Sequence, residues 1–300
     1  MKRFILWFLA IVLTLAAAYY QRKTGPTYPK RIEVTLNDSL YTLSLVRSIG
    51  LDERSEVKLK IADTSIKARI LYRRFPTDEP YQSAPFVFSV RPVESYLMNN
   101  IFKITEEKGL FAQVPPQPPA GKLQYYIEIT DRNGTQTIMK ESPVIIRFKG
   151  GVPGYILAPH ILLMFFAMLF STLAGLMGLF NDRGYIKYSV ITLVLLIAGG
   201  MILGPVVQKY AFGEFWTGVP FGWDLTDNKT LIALIFWIAA VIMNRRRKSP
   251  VYTIIASFVL LLVFSIPHSL LGSELDYSTG KVTQGIILYF LIPSFKKFLN

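Results

Sequence analysis

Lys149-Gly150-Gly151-Val152-Pro153-Gly154-Tyr155-Ile156-Leu157-Ala158-Pro159-His160-Ile161-Leu162-Leu163-Met164-Phe165-Phe166-Ala167-Met168 divides this 300-residue chain into two kinds of sequence. Gly150, Gly151, Pro153 and Gly154 punctuate the change. Upstream, apolar residues recur at every second position. Downstream, they run uninterrupted for long enough to cross a bilayer, which takes ~17–25 residues as a helix. The chain is 51% hydrophobic and 18% charged, against about 25% charged residues in ordinary soluble proteins.

The downstream part reads as membrane. Candidate spans are Tyr155–Phe180, Ile186–Val207, Thr230–Asn244, Val251–Leu271 and a shorter Val282–Phe295. Together they make residues 153–300 a five-helix transmembrane bundle. A further apolar run, Phe4–Tyr20, follows Lys2 and Arg3 and assigns residues 1–20 to an N-terminal transmembrane anchor or a signal sequence. Ala16-Ala17-Ala18 resembles a cleavage site. The continuation into Tyr19 and Tyr20, an interface belt, favours the anchor.

The net charge of +13 is segregated. Residues 21–152 hold 20 Lys/Arg and 14 Asp/Glu. The clusters Lys2–Arg3, Asp182–Lys187, Arg245–Lys248 and Lys296–Lys297 hold ten basic residues and one acid. One alternation of spans puts every such cluster in the cytoplasm and residues 21–152 outside it, as the positive-inside rule requires. This segregation argues against a nucleic-acid partner. It predicts a multi-pass protein of a bacterial inner membrane with a periplasmic or extracellular domain.

That domain, residues 21–152, alternates over Ile32–Leu36, Tyr41–Val46, Val57–Ile61, Ala68–Tyr72, Tyr125–Ile129 and Val144–Phe148, the period of half-buried strands. Turn signals separate them at Asn37-Asp38, Gly50, Thr77-Asp78-Glu79-Pro80 and Asn133-Gly134. Asp131–Gly134 reads as a hairpin turn. The fold class expected is α+β: an extracytoplasmic antiparallel β-sandwich plus an α-helical bundle. The stretch Pro119–Pro143 resembles a late hairpin of immunoglobulin-like or fibronectin-type bacterial modules. The whole arrangement resembles bacterial polytopic membrane proteins with an extracytoplasmic immunoglobulin-like domain.

Several chemistries are excluded. The chain has no cysteine, so disulfide scaffolds, thiolate metal sites, iron–sulfur clusters and covalent CxxCH haem are ruled out. No GxxxxGK[ST], GxSxG or HExxH occurs. Expected spans free of Asp, Glu, Lys and Arg, except for Lys187 at the edge of one, argue against an ion-coupled transporter.

Two constellations remain. His160 and His268, the only histidines, each follow a proline and fall at similar depth in the same leaflet. His160–Met168 resembles the histidine-bearing helix of b-type (b561-like) membrane cytochromes. That resemblance implies haem b held between His160 and His268. A two-haem core would need four helical histidines, so at most one haem is implied. The plainer reading makes both histidines boundary residues with their ring tips in the headgroup region. The second constellation is the loop Tyr210–Thr230, rich in aromatics and glycine, with Glu214, Trp216, Trp223, Asp224, Asp227 and Lys229 as candidate binding residues. Thr226 or Asp227 would cap a helix starting near Lys229. Asp224, Asp227 and Lys229 would pair among themselves. Its aromatics and carboxylates would suit a quinol ring. Gly200 and Gly204 form a small-residue face for close helix packing.

The functional expectation is a subunit or assembly partner of an envelope or respiratory complex, with other membrane or periplasmic proteins as partners. The alternative is a mono-haem b-type cytochrome passing electrons near the outer membrane face through His160 and His268.

Overall fold

The computed structural model describes residues 1–93, 99–247, 249–267 and 273–283. The chain divides into two units, Thr27–Gly150 and Met1–Pro26 with Gly151–Asn300.

In the first unit, turn chemistry sets the opening hairpin. β1 (Lys30–Leu36) and β2 (Ser39–Leu45) are joined by Asn37 and Asp38. Both joining residues have positive φ, 47° and 58°. Asn and Asp tolerate that conformation, and it matches the strand twist. β3 (Ser48–Gly50), β4 (Glu56–Leu59), β5 (Lys67–Arg74), β6 (Gln82–Pro85), β7 (Val87–Pro92), β8 (Glu106–Gln113), β9 (Lys122–Asp131), β10 (Gly134–Ile138) and β11 (Val144–Lys149) follow. Among the described residues they form a six-stranded sheet, β3-β11-β9-β5-β6 with β10 also on β9, and a three-stranded sheet, β4-β8-β7. The β9–β10 hairpin turns at Arg132-Asn133, as expected.

β9 is the central strand, flanked by β5 on one side and by β11 and β10 on the other. With its core face buried and its other face covered by Tyr81 against Tyr126 and by Phe75 against Lys122, it is buried almost continuously rather than alternately. One core cluster takes Leu36, Leu43 and Leu45 from the first hairpin, Val57 and Leu59 from β4, Leu110 from β8, and Ile70, Ile127 and Phe148 from the large sheet. Each such side chain contributes about 1.5–3 kcal/mol relative to its exposed state. The expectation of purely antiparallel pairing is corrected at one place. β3 runs parallel to β11, with Arg147 opposite Ser48. The two strands are far apart in sequence, and a long crossover permits parallel pairing.

The second unit is helical. α1 (Lys2–Thr24), α2 (Gly154–Leu179), α3 (Tyr185–Phe212) and α4 (Leu225–Arg247) are long and apolar enough to cross a membrane, and α5 (Pro250–Ser265) is shorter. The expected fourth span, Val251–Leu271, is corrected: its helix ends at Ser265, two residues before Pro267. Proline disfavours helical backbone in the residue before it. Most of the expected fifth span lies outside the described residues. Its start is a short strand, β13 (Val282–Thr283), paired with β12 (Glu274–Leu275).

α1 buries Leu6, Ala10 and Thr14, one stripe at a spacing of four. Leu6 and Ala10 join Leu169, Leu173 and Met177 of α2 and Tyr185 of α3 in one cluster. Trp7 meets Phe170 and Tyr188 edge-on, and Arg3 Nε donates to Asp182 Oδ2 at 2.8 Å. Large apolar side chains such as Phe4, Phe8, Val194 and Phe258 stay exposed on the helices. That surface is compatible with a multi-pass membrane protein.

Glycines set the helix spacing. A Cβ at Gly200 of α3 would stand 2.8 Å from Thr230 of α4, and one at Gly199 would stand 2.9 Å from Leu163 of α2. The small-residue face expected at Gly200 and Gly204 is thus used inside the unit. α3 is wound as a π-helix across Leu196–Leu203. Such winding is frequent at functional sites.

Candidate functional site: a cavity among α2, α3 and the start of α4

Asp224 starts α4. Its Oδ1 accepts the backbone N–H groups of Thr226 at 2.8 Å and Asp227 at 3.1 Å. A cap of this kind stabilises a helix by about 1 kcal/mol. The expected cap, Thr226 or Asp227, is therefore corrected, and α4 begins at Leu225 rather than near Lys229. The polar run Leu225–Lys229 looks like loop in sequence, yet its first N–H groups are satisfied by one upstream carboxylate. Asp227 and Lys229 consequently lie inside a candidate span, contrary to the expectation of spans free of charge.

With the helix starting earlier, Asp227 is free to hold the preceding loop. Its Oδ2 accepts the N–H of Thr217 at 2.6 Å and the Thr217 hydroxyl at 3.3 Å. Gln208 Nε2 of α3 donates to Thr217 Oγ1 at 2.7 Å, and Asn228 Oδ1 accepts the N–H of Val219 at 2.8 Å. The loop lies so close to α4 that a Cβ at Gly218 would stand 2.7 Å from Asp227 Cβ. Asp224, Asp227 and Lys229 are all buried. Among the described residues their side chains hydrogen-bond to other groups rather than to one another, although the Asp224 charge acts on Lys229. Lys229 Nζ donates to the carbonyl of Ile266, at 2.7 Å, beyond the end of α5.

These contacts leave a cavity of about 120 Å3. Its walls are His160 and Met164 of α2, Gly200, Gly204 and Gln208 of α3, and Asp224, Asp227 and Thr230 at the start of α4. His160 Nδ1 lies 2.9 Å from the carbonyl oxygen of Gly199, inside the π-wound turn. That oxygen also accepts the N–H of Gly204. A carbonyl only accepts, so Nδ1 carries the proton and donates. In the neutral ring Nε2 then keeps its lone pair.

The structure brings His160, Asp224 and Asp227 to one cavity. Glu214 is exposed, and Trp223 is 71% exposed. Trp216 is half-buried and closes its loop by donating from Nε1 to the carbonyl of Val219 at 3.1 Å. His268 lies outside the described residues. Sequence reading missed Gln208, Thr217, Thr230 and Ser273. The available signal was Gln208, four residues after Gly204 and on the same helix face. Among the described residues no group of three or more His, Asp and Glu side chains is placed to hold a metal ion.

No protein-family model, curated protein or solved structure matches the chain.

Proposed function

We propose that the protein is a multi-pass protein of the bacterial inner membrane. It carries residues 21–152 outside the cytoplasm as a β-sandwich and works as a subunit or assembly partner of an envelope complex. The observation that carries this reading is the β7–β8 hairpin. Its base is held by Val93 N–H donating to the Thr105 carbonyl at 2.9 Å. Beyond it Ile101 and Phe102 are each 63% exposed and Ile104 49% exposed. Three large exposed apolar side chains within four residues support a protein contact. The basic residues at Asp182–Lys187 and Arg245–Lys248 support the orientation. The packing of α1 against α2 and α3 supports a retained anchor.

A photo-crosslinking residue placed at Phe102 in cells tests the proposal. A discrete protein adduct is expected, lost on Ile104→Asp while the protein stays folded and inserted. Adducts only to lipid, or an adduct indifferent to Ile104→Asp, would overturn the partner role. Reporter fusions at Pro80 and Arg247 should fall on opposite sides of the membrane, and agreement between them would overturn the orientation.

A further inference from the structure

We propose that the cavity between His160 and Asp227 binds the hydroxylated ring of a membrane quinol, a function separate from partner docking by the β-sheet unit. Size is the first argument. At about 120 Å3, the cavity compares with the ~150 Å3 engineered cavity known to admit benzene. The cavity is of the order of a single six-membered ring.

Chemistry is the second argument. The His160 imidazole spends its donor on the Gly199 carbonyl, 2.9 Å away, and so presents an acceptor at Nε2. The lining also carries the Asp224 and Asp227 side chains, both buried. Carboxylates accept and repel anions. A ligand here gains most by bringing O–H donors on a flat apolar body, as a hydroquinone does. Met164, Val207, Ala211 and Phe212 supply apolar walls for the ring, and a thioether beside an aromatic ring is a favourable contact.

Location is the third argument. The cavity lies among α2, α3 and α4, the helices long and apolar enough to span a bilayer. A headgroup there can leave its tail in lipid. Ligand sites between bundle helices follow this pattern.

The arrangement also sets redox-state specificity. A quinone carbonyl has no proton to give and gains nothing from His160 Nε2 or the two carboxylates, while of the donors on the lining Gln208 and Thr230 already donate to Thr217 Oγ1 and the Thr226 carbonyl. Unmade hydrogen bonds to charged groups are expensive enough to separate the two forms by about tenfold or more.

The test uses the full-length protein in lipid nanodiscs under anaerobic conditions. Its probes are decylplastoquinol, the same dimethylhydroquinone without its tail, and the two corresponding quinones, with affinities measured by calorimetry. Decylplastoquinol should bind, its quinone about tenfold or more weaker, and the tail-less ring weaker than the tailed one. His160→Ala and Ala211→Phe should each lower quinol affinity at least tenfold; Ala211→Phe fills the cavity while leaving the polar groups and their hydrogen bonds in place. Equal affinity for quinol and quinone, or quinol binding unchanged in both variants, would overturn the proposal. Equal binding of the tail-less ring would overturn the membrane quinol as its source and assign the site to a soluble phenol.

Discussion

Thr27–Gly150 and the helical unit bury different things. In the sheets the largest fully buried side chains include Tyr125, Phe148, Leu36, Leu43, Ile70 and Ile127. The one polar atom among them, the Tyr125 hydroxyl, donates to the carbonyl of Val46 at 3.0 Å. In the helices the buried set includes Asp224, Asp227, Lys229, Asn244, Ser189 and Thr253, beside many alanines and glycines. Ser189, Thr253 and Asn244 form a hydrogen-bonded chain between α3, α5 and α4. The lesson concerns solvent. Water drives aliphatic side chains into a core, so the sheet unit gains stability from apolar area. Lipid offers no such drive, so helices associate through close backbone approach and buried hydrogen bonds.

The largest expected effect tests the apolar half of this comparison. Phe148→Ala removes a fully buried ring from the core cluster and should destabilise the sheet unit by about 3–5 kcal/mol. Urea denaturation of residues 27–150 expressed alone measures it. A loss below about 1 kcal/mol would mean that the core collapses onto the gap and is less tightly packed than described.

The next effect tests close approach in the helices. Gly200→Ala adds one methyl group 2.8 Å from the Thr230 methyl and should cost about 1–3 kcal/mol through overpacking. Thermal unfolding of the full chain in detergent reads this out, and an unchanged midpoint would show that α3 and α4 separate freely. Ala211→Phe, which fills space rather than pushing helices apart, should lower the midpoint less.

The smallest effect separates surface electrostatics from both cores. Asp131 accepts the N–H of Asn37 at 2.8 Å and that of Asn133 at 2.9 Å. Those hydrogen bonds, Asn37 first, hold its carboxyl below the usual carboxylate range. Its stabilisation is therefore present above the unfolded pKa of ~3.9 and is lost as pH falls through the lower folded value. Asp131→Asn should flatten the acid limb of the stability profile and converge with the parent at the lowest pH. Parallel acid limbs would contradict the assignment.

Much of the sheet unit was legible. Ile32–Leu36, Tyr41–Val46, Val57–Ile61, Ala68–Tyr72, Tyr125–Ile129 and Val144–Phe148 each overlap a strand, because alternation is local. β3, β6, β7 and β8 were not read from the sequence. Ser48–Gly50 and Gln82–Pro85 carry little apolar pattern and are recruited by backbone pairing to neighbours already in place. The buried, unalternating character of β9 followed from side chains distant in sequence, Tyr81 and Phe75, lying over its second face.

In the candidate site, His160 and the acidic residues Asp224 and Asp227 stood out because polar groups near a membrane span are rare. Their grouping did not. It depends on the earlier start of α4, on the π-wound turn that offers the Gly199 carbonyl to His160, and on the glycines that draw α2 and α4 to α3. The sequence alone determined where chain would alternate, where it would run apolar and where positive charge would gather, since those follow from each residue's preference for water. Only the tertiary structure decided which polar groups share a cavity. A hydrogen-bond partner dozens of residues away is chosen by packing, not by any local preference.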